Sequence, residues 1–264
     1  MLQILRKGCV MFAMGACSLN SAAGDGTCTA HSAEYTVALL ELYTSEGCSS
    51  CPPADHFLSS LKNAGNVPSS VIPLALHVDY WDYIGWKDPF ARPQFSKRQR
   101  EMANRGKASV VYTPQFSLQG EIYRLPSDSS SFEFDLRAIN RKPSRADLTV
   151  NLGQVEPGKL TVSVSGSVRG KIDEKGAMLY LALYENNLTS SVRAGENRNA
   201  VLHHDHVVRA WSGPWTVSAK DKSAVNTTLS LAPQWKVRDL GIAVFVQNTL
   251  TGEILQAVSR NVCS

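Results

Sequence analysis

Residues 37–44, Val-Ala-Leu-Leu-Glu-Leu-Tyr-Thr, are apolar on both alternating faces, the pattern of a buried strand. Pro52 and Pro53 then open a helical stretch reaching about Leu61, because proline's missing N–H is no loss in a first helical turn. Val71 to Val78 repeats the buried-strand pattern. A Trp- and Tyr-rich loop follows, then a polar helical stretch from about Arg92 to Lys107. Residues 115–119 and 121–125 predict two short strands joined at Gly120, and Ser131 to Asn140 a last helix. The order β-α-β-α-β-β-α predicts a sheet with helices on both faces. Character changes at Arg141-Lys142-Pro143-Ser144. Beyond it short strands recur between turn signals, at 147–155, 159–168, 177–184, 202–211, 215–218, 225–231, 240–247 and 253–259. That spacing predicts a β-sandwich.

The first 23 residues read differently. Arg6 and Lys7 form a basic start, Cys9 to Leu19 an apolar stretch too short to cross a bilayer, and Ser21-Ala22-Ala23 a small-residue cleavage site. The expectation is a signal peptide over 1–23 and a periplasmic or secreted protein; a lipoprotein acylated at Cys17 is the weaker reading. No later segment approaches 20 uninterrupted apolar residues, so no transmembrane segment is expected in the mature chain. The domains are then 24–143 and 144–264.

Composition supports a packed core, with 43% apolar and 19% charged residues. The net charge of +4 comes without a dense Lys/Arg run, so nucleic-acid binding is not expected. Export matters more, because it leaves four cysteines in an oxidising compartment. Cys48 and Cys51 pair naturally. Cys28 and Cys263 lie near the two ends of the mature chain, which often meet, and a structural disulfide between them is expected.

Gly47-Cys48-Ser49-Ser50-Cys51-Pro52-Pro53 stands between a strand and a helix, where C-x-x-C reads as a thioredoxin-like redox motif. The helix N-terminus favours the thiolate. Cys48 is assigned as the exposed attacking cysteine and Cys51 as the resolving one, with a purely structural bond as the alternative. Thr113-Pro114 starts the later strand, where a cis-proline in a thioredoxin-like fold faces the dithiol; these two residues are the expected substrate-binding pair. Glu41 matches the position of a buried proton-transfer acid, against a solvent-exposed Glu. In the segment 77–90, His77, Asp79 and Trp81 are candidate site residues, while most of its aromatics are expected to cover core. His203-His204-Asp205-His206 invites a metal reading, but a strand points at most two of them to one face, short of a zinc site, and no resident metal or cofactor is expected.

Residues 41–55, 77–90 and Val-Tyr-Thr-Pro-Gln (111–115) closely resemble a secreted bacterial family catalogued as domain of unknown function 1223, within the thioredoxin-like superfamily. The resemblance implies an α/β thioredoxin-like domain followed by an all-β sandwich domain, the fold class expected here. It implies no activity. The functional expectation is an exported thiol–disulfide oxidoreductase acting on protein or small thiols of the cell envelope. The alternatives are a non-catalytic binding module with a structural Cys48–Cys51 bond, or a copper carrier using Cys48, Cys51 and His77.

Overall fold

The computed structural model describes residues 28–61, 71–126, 128–170, 176–217 and 223–263. The expected signal peptide and Cys17 lie outside the described residues. Strands β1 (Thr29–His31) and β2 (Ala38–Thr44) are followed by helix α1 (Pro52–Ser60), β3 (Val71–His77), α2 (Pro93–Arg105), β4 (Gln115–Leu118), β5 (Glu121–Tyr123) and α3 (Ser129–Asn140). Then come β6 (Ala146–Glu156), β7 (Lys159–Val168), β8 (Ala177–Glu185), β9 (Leu188–Ser191), β10 (Val201–His204), β11 (Val207–Thr216), β12 (Ser223–Ser230), β13 (Leu240–Asn248) and β14 (Ile254–Asn261).

These elements do not assemble as an α/β thioredoxin-like domain followed by an all-β sandwich. The described residues are mostly β, 46% strand against 19% helix. One eight-stranded sheet, ordered β14-β13-β8-β11-β3-β2-β4-β5, draws on both halves of the chain, and a four-stranded sheet, β1-β6-β7-β12, does the same. The physical reason is edge pairing. β3 is apolar on both faces, so it belongs inside a sheet and needs a neighbour on each edge. β2 takes one edge in parallel register, Leu39 opposite Ile72, and the other meets β11 at Val207 opposite Ala75. Periodicity reveals that a strand is buried but not which strand lies beside it.

Other contacts cross the supposed boundary. Ser144 N–H donates to the Glu34 carbonyl, and Tyr35 bridges Pro143. The β4–β5 turn lies so close to the β13–β14 turn that a Cβ on Gly120, whose φ is +85°, would sit 1.9 Å from the Gly252 carbonyl oxygen. The expected strand 202–211 is broken at His206, which takes a left-handed φ of 58°. Gly213-Pro214 makes an irregularity inside β11 rather than a turn.

Alternation along the strands divides the core. Leu39, Tyr43, Leu74, Leu76 and Phe245 point to the sheet face that α2 covers. Leu40, Leu42, Ala75 and Val207 point to the opposite face, under α1 and α3. Farther along that face, Leu181, Ile242 and Val244 pack on Leu148, Val162 and Val164 of the four-stranded sheet. A Cys28–Cys263 disulfide, with Cα atoms 5.9 Å apart, ties the start of the described chain to its end.

A buried disulfide over a histidine–carboxylate cluster

β2 and β3 run parallel, so their carboxyl ends open at the same edge of the sheet. The chain leaves β2 through Ser45-Glu46-Gly47 and enters α1 through Cys48-Ser49-Ser50-Cys51, with Cys51 as the N-cap and prolines in the first turn. Cys48 and Cys51 are disulfide-bonded, with Cα atoms 5.4 Å apart. The Ser50 hydroxyl lies 3.4 Å from Cys48 Sγ.

The expected exposure of Cys48 is not found: both cysteines are 0% exposed. Two elements far away in sequence enclose them. The segment after β9 lies over the turn. Asn197 Nδ2 donates to the carbonyls of Glu46 (2.8 Å) and Cys48 (2.9 Å), and Glu196 Oε2 accepts from the N–H (3.0 Å) and hydroxyl (2.7 Å) of Ser49. Those bonds hold the Glu196 carboxyl below the usual range. On the other side Trp81 and Ile84 approach Gly47 so closely that a Cβ there would lie 3.2 Å from each.

Behind the turn lies a cluster of ionisable side chains with almost no solvent contact: Glu46, Asp55, His77, Asp88 and His204. His77, at the end of β3, donates from Nδ1 to Asp88 Oδ2 at 2.7 Å. Asp88 also accepts from the backbone N–H groups of Glu46 and Phe90, each at 2.8 Å. Burial alone would raise the Asp88 carboxyl, but His77 and these hydrogen bonds outweigh it and hold it below its usual value. Burial would likewise depress the His77 imidazole; Asp88, then Asp55 and Glu46, hold it above its usual value.

His204, at the end of β10, enters the same cluster. Its Nε2 is 3.4 Å from Glu46 Oε1 and its Nδ1 3.9 Å from Asp55 Oδ2. Its ring meets those of His77 and Phe90 edge-on, with centroids 5.2 and 5.7 Å away. Burial pushes the Asp55 carboxyl up, partly offset by the nearby histidines and the Thr44 hydroxyl. Trp86 Nε1 donates to Glu46 Oε2 at 2.7 Å. The cluster can exchange protons internally. Among the described residues no three His, Cys, Asp or Glu side chains are grouped to hold a metal ion.

The residues singled out in the sequence divide between this site and elsewhere. Cys48, Cys51 and His77 share the carboxyl edge of β2 and β3. Trp81 Nε1 donates to the Thr113 hydroxyl at 2.7 Å, which links Thr113 to the Gly47 side of the cysteine turn. The Thr113–Pro114 peptide is cis. Asp79 instead bonds Ser96 of α2. Glu41 belongs to the other face of the sheet, where Arg98 of α2 holds it at 2.6 and 3.2 Å. Arg98 lies in turn against Tyr180, Trp211 and Phe245. The 203–206 run scatters: only His204 joins the cluster, His203 meets Thr189, Asp205 accepts from Asn187 N–H, and His206 lies by the Tyr184 ring.

Sequence reasoning missed Glu46, Asp55, Asp88, His204 and the Glu196–Asn197 clamp. The signal available was weak: Glu46 and Asp55 flank the dithiol, and Asp88 stands in the unusual 77–90 segment.

The family model described as a protein of unknown function (DUF1223) matches residues 39–247. No curated protein matches the sequence. An X-ray structure of protein AGR_C_4864 from Agrobacterium tumefaciens is similar at 26% identity and a TM-score of 0.59, over 88% of this chain and 97% of that one. HBP35 of Porphyromonas gingivalis is similar in fold at 15% identity and a TM-score of 0.67, over 88% of this chain and 76% of that one.

Proposed function

The chain belongs to the DUF1223 family, and we propose that it is an exported thiol–disulfide exchange protein whose Cys48–Cys51 bond reacts when the 193–199 segment lifts. The observation carrying this reading is the placement of the disulfide. It caps the start of α1 directly above buried, proton-exchanging histidines and carboxylates, under a cover held by side-chain hydrogen bonds rather than by apolar packing. A bond serving only to staple the turn would not require that cluster beneath it.

The exchange is balanced as follows. A substrate thiolate attacks Cys48 Sγ, the Cys48–Cys51 bond breaks, and Cys51 leaves as a thiolate that takes up a proton. A second substrate thiolate attacks the substrate sulfur of the mixed disulfide and releases Cys48. Two substrate thiols become a disulfide, and Cys48–Cys51 becomes a dithiol; the reverse sequence oxidises the protein. The helix N-terminus favours the departing thiolate, and the nearby cluster buffers the proton inside a site that excludes water.

Export supports this reading and is part of it. No helix among the described residues is long and apolar enough to cross a membrane, and both disulfides suit an oxidising compartment.

The complete burial of both sulfurs favours a second reading, a structural bond that never turns over. A thiol redox titration with mass tagging separates the two. Reversible cycling of Cys48–Cys51 at a potential well above about −300 mV supports exchange, and a bond that resists reduction below that value supports the staple. For an exchanging site, Cys51→Ala in the cell envelope should accumulate mixed disulfides through Cys48, and Cys48→Ala far fewer.

A further inference from the structure

A second cavity opens beside the cluster, on the side of Phe90 that faces away from the histidines, and it is built around Arg209. This arginine comes from β11, and Glu185 at the end of β8 anchors it, with Arg209 Nη1 3.0 Å from Glu185 Oε2. The other Glu185 oxygen accepts the Lys236 backbone N–H at 3.0 Å. Two rings sandwich the guanidinium, Phe90 at 4.9 Å and Trp235 at 5.1 Å. Carboxylate and rings together fix its plane, so little freedom is left to lose when something binds it.

The cavity measures about 580 Å³, within the usual range for small-molecule sites. Its charged lining is unbalanced. Arg92, Arg209 and Lys236 face it, against the single carboxylate of Glu185, which is already committed to Arg209 and to a backbone N–H. Arg92 is also fixed, donating from Nη1 to the carbonyls of Ala91 (2.7 Å) and Pro89 (3.3 Å). Among the described side chains, Arg209 Nε and Trp235 Nε1 are buried N–H donors without an acceptor. A self-contained ion pair would leave neither a surplus of two positive charges nor two unanswered donors. Burial lowers the Arg209 pKa and Arg92 lowers it further, against the pull of Glu185; an added negative charge would relieve that. Phe90, Leu188 and Trp235 supply apolar wall around these donors.

We propose that this cavity binds a small molecule carrying one oxyanion group, phosphate or carboxylate, on an apolar body, with Arg209, Arg92 and Lys236 receiving the anion. The site does not depend on the state of the cysteine pair.

The test uses the mature chain with both disulfides intact. Inorganic phosphate is titrated in one arm and benzoate in the other, followed by calorimetry and by tryptophan fluorescence. The expected result is saturable one-to-one binding in at least one arm, weakening with added salt. The arm that saturates identifies the anion class. Lys236→Ala, an exposed side chain, should weaken binding about 3- to 10-fold by removing one charge. Arg209→Lys should weaken it about 10-fold or more, because an ammonium cannot replace the planar fork. Trp235→Phe should remove the fluorescence response, and Arg124→Ala, outside the cavity, should bind as the parent does. Absence of saturable binding to both probes at about 10 mM would overturn the proposal. So would affinities unchanged in Lys236→Ala and Trp235→Phe, two variants that keep the result decisive if Arg209→Lys does not fold.

Discussion

Asn197→Ala is the sharpest test of gated access to the disulfide. The Asn197 amide donates to two carbonyls of the cysteine turn, those of Glu46 and Cys48, at 2.8 and 2.9 Å. A typical intramolecular hydrogen bond contributes about 0.5–1.5 kcal/mol net, so losing both loosens the closed state by about 1–3 kcal/mol. If reduction proceeds only through the opened segment, its rate rises by the corresponding Boltzmann factor, roughly 5- to 150-fold. Asn197 is half-buried, and water can replace part of what is lost, which favours the lower half of that range. The assay reduces the protein with excess phosphine, quenches at intervals with a mass-tagging maleimide, and reads Cys48 and Cys51 separately by peptide mass. Cys28–Cys263 is the internal standard and should be reduced at an unchanged rate. Equal rates for Asn197→Ala and the parent would refute the gate, and the buried bond would then be reached by some other opening.

Three further outcomes follow from the same geometry. Glu41→Ala should destabilise the fold by about 3–5 kcal/mol in denaturant unfolding, because it strands the buried Arg98 charge, whereas the paired change Glu41→Leu with Arg98→Met should recover most of the loss. The His77–Asp88 pair should add stability over a defined pH window. His77 is raised from 6.5, so its contribution is full below that pH and is lost as pH rises through the folded value; Asp88 is lowered from 3.8, so its contribution is full above that pH and is lost as pH falls through the folded value. The stability difference between parent and His77→Gln, measured against pH, should therefore peak between about 4 and 6.5. Removing the Cys28–Cys263 bond by Cys28→Ala and Cys263→Ala together should cost about 5 kcal/mol in the chain-entropy model, since it releases a loop of 235 residues, and thermal unfolding would measure it.

The sequence by itself determined most of the local structure. Apolar runs marked β2 and β3 because strands buried on both faces carry few polar residues, and Pro52-Pro53 marked the start of α1 because proline fits only a helix's first turn. The cysteine spacing marked the chemical centre for an equally local reason: C-x-x-C closes its own ring, whatever the rest of the chain does. Tertiary structure alone decided the rest. Whether β3 ends a domain or continues into β11 depends on which distant strand meets its free edge, and periodicity along one strand carries no information about its neighbour. Glu41 shows the same limit, since whether its carboxylate serves the disulfide or pairs with Arg98 follows from the face of the sheet and the placement of α2. Asp55 and His204 stand 149 positions apart, and nothing local distinguishes His204 from His203 or His206. Only the folding of β10 against α1 puts one imidazole between Glu46 and Asp55 and leaves the others outside, because burial and charge act through space and not along the chain.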